Sequence, residues 1–281
     1  MKKILLLASI AFFFVSVFVA IDGSKNCYLQ ISRRKILSQK KIPVYGFKVI
    51  KSYPHDTNSY TEGLVYENGI LYESVGLYGH SKLIKSNLVS GQKIQVVKLA
   101  NKYFGEGVTV FNKHIYQLTY QSKTGIVYDK HTLKAVKKFK YNSQGWGLTH
   151  NGKYLIVSNG SSAIQFIDPN NFKVAKVIFV KAGHRPVGSI NELEYINHKI
   201  FANIWKTNFI AIISPKNGKV IGWLDLTRLN PNPRKLKTPY VLNGIAWDAK
   251  NHSLLVTGKC WPKIYEIRSL PSKTNRFPHM T

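Results

Sequence analysis

Carboxylates and an amide recur at matching points of a repeated pattern: Glu62, Glu106, Glu192 and Asn243 each stand one residue before an aligned Gly or Leu, and Trp146 takes the same place before Gly147. Side chains at equivalent repeat positions face a shared space. Three glutamates brought together there raise one another's pKa and are costly unless protonated, as a general acid–base would be, paired, or holding a cation. The same oxygen-only set, Glu62, Glu106, Glu192 and Asn243, is also of the kind Ca²⁺ accepts. A second set follows the predicted second strand of each repeat: Tyr120, Asn159-Gly160-Ser161, Trp205 and Lys259. Aromatic walls with a few polar groups suit a small-molecule pocket. Other chemistries lack their residues. The nine histidines form no HExxH or HxH pair, there is no GxSxG elbow, and Cys27 and Cys260 have no metal-ligand spacing, Cys260 being expected to pack between strands.

The elements that must position these residues are short strands. Opening strands are predicted at Tyr60–Tyr66, Phe104–Val110, Gly145–Thr149, Asn191–Ile196 and Leu242–Trp247, and aligning Gly63, Gly107, Gly147, Leu193 and Gly244 gives spacings of 44, 40, 46 and 51 residues. Those periods are of propeller-blade size. Each opening strand runs through a polar turn such as Asn68-Gly69 or Asn197-His198 into a second apolar strand, and turns such as Asp129-Lys130-His131-Thr132 join a third strand to an outer one. The fifth unit has no fourth strand after Ile264–Ile267, and the alternating segment Val44–Ile50 is predicted to fill that edge. The expected architecture is an all-β, five-bladed β-propeller, its ring closed by an N-terminal strand completing the last blade. A β-sandwich does not require turn-matched units of this period.

In the 281-residue chain, 41 Lys and Arg stand against 13 Asp and Glu, a net charge of +28 that suits anionic surfaces. Basic runs such as Arg33-Arg34-Lys35 and Lys40-Lys41 are short, with no helical basic stripe, so nucleic acid is not an expected partner. Met1-Lys2-Lys3 and the apolar or small-residue run Ile4 to Ile21 predict an exported protein, periplasmic or secreted, with residues 1–21 a signal peptide or a retained inner-membrane anchor. Residues 22–43 read as a basic linker, 44–270 as the folded domain and 271–281 as a polar tail. Two cysteines make no disulfide framework, and a monomer is expected.

The strings Phe104-Gly105-Glu106-Gly107, Gly145-Trp146-Gly147-Leu148, Asn191-Glu192-Leu193-Glu194, Asn203-Ile204-Trp205, Leu242-Asn243-Gly244-Ile245-Ala246 and Val256-Thr257-Gly258-Lys259 with Trp261-Pro262 run in order and in register, together with Gly76-Leu77-Tyr78-Gly79. From about Tyr53 to Ile267 the chain resembles the plant-type glutaminyl-peptide cyclotransferases, also found in bacteria. The resemblance implies a five-bladed propeller that converts the N-terminal glutamine of peptides or proteins into pyroglutamate, releasing ammonia without zinc. It implies Glu106 as proton shuttle and Lys259 and Asn191 as the groups that polarise the amide carbonyl. Phe104, Trp146 and Trp205 would wall the pocket, with an indole N–H as a donor, and Glu62, Tyr120, Glu192 and Asn243 complete the substrate-facing set. Two residues depart from the family pattern: Glu62 stands where Gln is usual and Tyr120 where Trp is usual. No cofactor is required, and a structural calcium in the channel stays open. The rival readings are a non-catalytic binding propeller and a Ca-type hydrolase or lactonase; Glu106, Trp205 and Lys259 favour the cyclotransferase.

Overall fold

Turn chemistry and alternation set the local structure. The computed structural model describes residue 36, residues 42–231 and residues 240–270. The proposed export segment, most of the linker and the tail lie outside them.

Strand β1 (Val44–Pro54) is followed by β2 (Thr61–Glu67), β3 (Ile70–Val75), β4 (Lys82–Asn87) and β5 (Lys93–Lys98), then by β6 (Gly105–Phe111), β7 (His114–Thr119), β8 (Thr124–Asp129) and β9 (Ala135–Lys140). Next come β10 (Leu148–His150), β11 (Leu155–Ser158), β12 (Ala163–Ile167) and β13 (Val174–Phe179), and a short hairpin of β14 (Lys181–Ala182) and β15 (Arg185–Pro186). The remainder are β16 (Ile190–Ile196), β17 (Lys199–Ile204), β18 (Phe209–Ile213), β19 (Val220–Asp225), β20 (Leu242–Asp248), β21 (Ser253–Gly258) and β22 (Lys263–Leu270). Asn68 and Gly69, at φ 50° and 85°, make the β2–β3 turn, and Asn197 and His198, at 46° and 60°, make the β16–β17 turn. Two successive positive φ angles are what a tight hairpin with native twist needs.

The sheets are antiparallel meanders: β2 to β5, β6 to β9 and β10 to β13 each form one. An eight-stranded sheet runs β16-β17-β18-β19-β1-β22-β21-β20. In it β1 pairs antiparallel with β22 along most of its length, where the sequence predicted a partner for the unfilled edge, and parallel with β19 at Val44 and Tyr45. The parallel contact was not foreseen.

Burial falls from first to last strand within a meander: β2 and β6 are buried over most of their length, whereas β5 and β9 are largely exposed. Apolar clusters fill the spaces between successive meanders. One joins Tyr72 and Leu83 to Val108 and Ile115, another joins Leu118 and Val127 to Leu155 and Ile167, and a further one joins Leu255 and Ile264 of the last strands to Leu64 and Leu71 of the first meander. Ile36, within the stretch expected to be a plain linker, is fully buried in the cluster that contains Ile156 and Trp223.

The repeated glycines follow from close approach of the first strands. A Cβ on Gly107 would lie 2.4 Å from Leu148 N, and one on Gly147 would lie 2.1 Å from Asn191 O. Neighbouring backbones occupy the room a side chain would take, so only Gly fits. The first strands β2, β6, β10, β16 and β20 pack in succession, with β20 against β2.

Candidate active site

Each first strand begins, and each second strand ends, at the same end of the molecule, because their registers pair Gly105 with Thr119, Ile190 with Ile204 and Leu242 with Gly258. Glu62, Glu106, Asn191 and Asn243 are each the second residue of a first strand, and Tyr120, Trp205 and Lys259 directly follow a second strand. The ladder therefore delivers residues far apart in the chain to one place.

It does so through a repeated irregularity. The pairing register shifts between Gly105 and Val108, between Ile190 and Leu193 and between Leu242 and Ile245. Such bulges re-aim side chains and are over-represented beside active sites. Their matching extents correct the sequence alignment by one residue in β16: Glu192, not Leu193, is the counterpart of Gly107 and Gly244, and Asn191 is the counterpart of Glu106 and Asn243.

The centre of the cluster is Glu62. Lys259 Nζ donates to its Oε1, and Asn243 Nδ2 donates to its Oε2 at 3.2 Å and to Thr61 O at 2.9 Å. Glu106 hydrogen-bonds the Glu62 carboxylate. Glu62, Glu106 and Lys259 are only 3%, 5% and 3% exposed. Burial, and after it the adjacent Glu62 charge, pushes Glu106 well above the usual carboxylate range. Glu62 is raised as well, by burial, against the pull of Lys259. Glu106 thus holds the proton that the pair shares, and Glu62 carries the charge that Lys259 balances.

Aromatic rings flank this cluster in a row. Tyr60 lies 6.2 Å from Phe104, Phe104 5.9 Å from Tyr120, Tyr120 6.4 Å from Trp146 and Trp146 5.6 Å from Trp205, by ring centroids. Tyr78 leans on Phe104 at 5.4 Å, and Lys259 Nζ sits 4.2 Å over the Tyr60 ring. Gly160, at φ 80°, seats the Trp146 indole where a Cβ would come within 2.6 Å of it. Asn191 Oδ1 and Asn243 Oδ1 are buried and have no hydrogen-bond partner among the described residues. A buried acceptor without a partner is costly, which marks both as sites for a donor the chain does not supply.

A family model described as glutamine cyclotransferase matches residues 24–269. The chain belongs to this family. It is 39% identical over 274 residues to a glutaminyl-peptide cyclotransferase of Arabidopsis thaliana, covering 95% of this chain and 82% of the relative. It is also similar to the crystal structure of Myxococcus xanthus glutaminyl cyclase, with a TM-score of 0.74 and 32% identity over 81% of this chain and 98% of that one.

For this glutamine cyclotransferase, the structure brings Glu62, Glu106, Lys259 and Asn243 into contact through Glu62 and lines up Phe104, Tyr120, Trp146 and Trp205 beside them. It gives Glu192 a different occupation. Standing at the glycine position of the bulge, Glu192 is fully buried and accepts from Leu64 N at 3.3 Å and Ile245 N at 2.8 Å, a strut between first strands rather than a pocket wall. Its pKa is driven well up by burial and then by Glu194, against those two N–H donors. Of the two indoles expected to wall the pocket, that of Trp146 donates its N–H to Gln144 Oε1 at 3.1 Å. Among the described residues no three His, Cys, Asp or Glu side chains are grouped to hold a metal, and of the oxygens counted toward calcium those of Glu62 are engaged by Lys259 and Asn243 and those of Glu192 by backbone N–H groups.

Sequence reasoning missed Tyr60, Gln144 and Ser158. Ser158 Oγ accepts from Gly147 N and donates to Asn191 O, both at 2.7 Å, and so fixes the backbone that carries Asn191. The missed Glu194, pushed by burial up to about 8, accepts from Thr149 Oγ1 and Trp247 N one layer below Glu192. Tyr60 was within reach, since it opens the same repeat as Glu62; the other three carry no signal above ordinary polar residues.

Proposed function

We propose that this chain cyclises the N-terminal glutamine of peptides or proteins to pyroglutamate with release of ammonia, using Glu106 to move the proton. The observation that carries it is the junction of Glu62, Glu106 and Lys259 beside an aromatic row, in a chain whose family and named relatives are glutamine cyclotransferases. The neutral α-amine attacks the carbon of its own side-chain amide, closing a five-membered ring through an oxyanion. Glu106 begins protonated, gives that proton to the departing nitrogen and recovers one from the attacking nitrogen, so one carboxyl serves both transfers. Lys259 and the Asn191 amide stabilise the oxyanion, a task that fixed donors perform well in a dry site. Asn243 and the Glu62 carboxylate receive the amine end, and Phe104, Tyr120, Trp146 and Trp205 exclude water around it. Intramolecular aminolysis needs positioning and proton transfer and calls for no cofactor. Family membership sets this reading above a binding propeller or a calcium-dependent hydrolase.

The fold reading that goes with it is a five-bladed propeller closed by β1. It is supported by the antiparallel pairing of β1 with β22, the packing of β20 on β2, and the apolar cluster between the last strands and the first meander. The protein is proposed to act after export, as a monomer in the periplasm or outside the cell. Its N-terminal apolar run serves as signal or anchor and its +28 charge suits anionic envelope surfaces.

The test is ammonia release from a glutamine-led peptide by the full chain and by Glu106→Gln. The wild type should release ammonia and form a product lacking a free amine, and the variant should lose at least about 100-fold in kcat with its melting temperature kept. Unchanged turnover in the variant removes Glu106 from the mechanism.

A further inference from the structure

His55 and Glu73 form a buried pair outside the reacting set, their side chains 3% and 5% exposed. His55 Nδ1 lies 2.6 Å from Trp261 O, and Nε2 lies 3.0 Å from Glu73 Oε1. A carbonyl oxygen only accepts, so Nδ1 carries a hydrogen; the second ring nitrogen and the Glu73 carboxyl then share one proton between them. Glu73 also accepts from Thr61 Oγ1 at 2.7 Å and from Ser59 Oγ at 3.2 Å, the residues on either side of Tyr60. Backbone bonds run alongside: His55 N donates to Pro262 O at 3.1 Å and Cys260 N to Ser59 O at 2.8 Å.

Lys259 and Glu62 are 197 residues apart. Lys259 stands past the end of β21, its N donating to Val241 O at 2.9 Å, and the turn that follows, where Cys260 has φ 57°, lies beyond the sheet ladder. We propose that His55 and Glu73 are positioning residues that set Lys259 against Glu62, by clamping the turn after β21 to the segment between β1 and β2. This rests on the reading of the Glu62, Glu106 and Lys259 cluster as the active site.

The other groups around the pair leave the shared proton to it. Asp56, beside His55, is occupied by Lys93 Nζ at 2.6 Å; Thr257 Oγ1 and Thr61 Oγ1, each 3.5 Å from a ring nitrogen, are neutral; and the Cys260 thiol is pushed up by burial. Burial alone would lower His55, and the Glu73 carboxylate outweighs it, so His55 is raised; burial alone would raise Glu73, and His55 outweighs it, so Glu73 is lowered. The clamp is complete below the ordinary imidazole value of 6.5 and down to the lowered Glu73 value, and it loses its proton as pH rises through the raised His55 value. A cavity of about 30 Å³ lined by His55, Asp56, Glu73 and Lys93 has room for one water to carry that proton out.

The test uses the full chain with Cys27→Ser, so that Cys260 is the only thiol and its alkylation by iodoacetamide reports the turn independently of turnover. His55→Leu breaks the clamp: kcat should fall on the order of 100-fold with KM nearly kept, and Cys260 should alkylate on the order of tenfold faster. Glu73→Gln keeps both hydrogen bonds around a neutral ring, with the amide N–H donating to Nε2. It should hold kcat within about threefold and lose the part of the alkaline fall in kcat that comes from the pair. Unchanged kcat and unchanged Cys260 reactivity in His55→Leu overturn the proposal. So does an equal loss of activity in both variants with Cys260 still protected. If the wild type released no ammonia, the proposed function would fail while the alkylation rates still decided the clamp.

Discussion

Glu62→Gln and Glu106→Gln should be strongly non-additive in stability, and the structure supplies the sizes. In Glu62→Gln the Lys259 ammonium loses the carboxylate it contacts, but Glu106 already hydrogen-bonds residue 62 and becomes the counterion by giving up its proton. The variant then loses one set of charge-assisted hydrogen bonds, about 1.5–3 kcal/mol. In Glu106→Gln a neutral carboxyl is exchanged for an amide that donates the same bond to Glu62, at a cost of about 0.5–1 kcal/mol. Neither single change orphans the cation. With both changes made, Lys259, 3% exposed, has no carboxylate against it, and breaking a buried pair in this way costs about 3–5 kcal/mol. The double variant should therefore cost about 1 kcal/mol more than the summed single effects, within the range of coupling seen for residues in contact. Urea unfolding of the four proteins at pH 7, with equal m-values, measures it. Additivity within about 0.5 kcal/mol would mean that Glu106 does not take over the charge, and the shared-proton account would be wrong.

Other outcomes follow from the same geometry. Glu194 rises from an ordinary 4.5 to about 8 on folding, so the native state binds the extra proton. Its contribution is fully present below pH 4.5 and is lost as pH rises through about 8. Glu194→Gln should accordingly flatten the fall in urea stability between those limits by an amount on the order of a few kcal/mol. Gly160→Ala forces a left-handed φ on Ala and presses a Cβ into the Trp146 indole, so KM should rise while stability drops by about 1–2 kcal/mol; an unchanged KM would place Trp146 outside the pocket. Gly107→Ala meets Leu148 N at 2.4 Å, which rigid backbone cannot relieve. It should cost more than about 3 kcal/mol and reduce soluble yield, whereas a mild effect would mean that the first strands can separate.

The strands were legible because their signals are local: Asn-Gly and Asn-His turns and period-two alternation are written within a few residues, and β2–β3 and β16–β17 form where those signals lie. The pairing of β1 with β22 lies where the sequence leaves an edge with no strand. What escaped depends on geometry that alternation does not encode. A bulge in β2, β6, β16 and β20 breaks the period of two at the positions that carry the chemistry, which is why Glu192 was aligned with the ring and Asn191 one step off it. Glu106 and Glu62 could be placed together from the repeat, but the pairing of Glu62 with Lys259 could not. It depends on where a turn of positive φ directs the chain after β21. Gln144, in a loop, and Ser158, the last residue of β11, were invisible because a lone polar residue looks alike in sequence whether it holds the site or faces water.

The location of the cluster explains why its residue types can coexist. Two carboxyls and an ammonium are expensive to bury singly, and here each offsets another: Lys259 balances Glu62, and Glu62 accepts the proton that Glu106 retains. That arrangement needs β2 from the beginning of the domain and the end of β21 from its close to meet, and the contacts that bring them together are among the least local in the chain: β1 on β22, β20 on β2, and His55 on Trp261. Contacts between distant parts of a chain form late, after their loop-closure entropy has been met by other packing. The acid, its carboxylate neighbour and their cation consequently come together only when the fold is nearly complete. Until then each can remain hydrated and ordinary in pKa, and the proton that Glu106 holds is a property of the joined chain rather than of any one sheet within it.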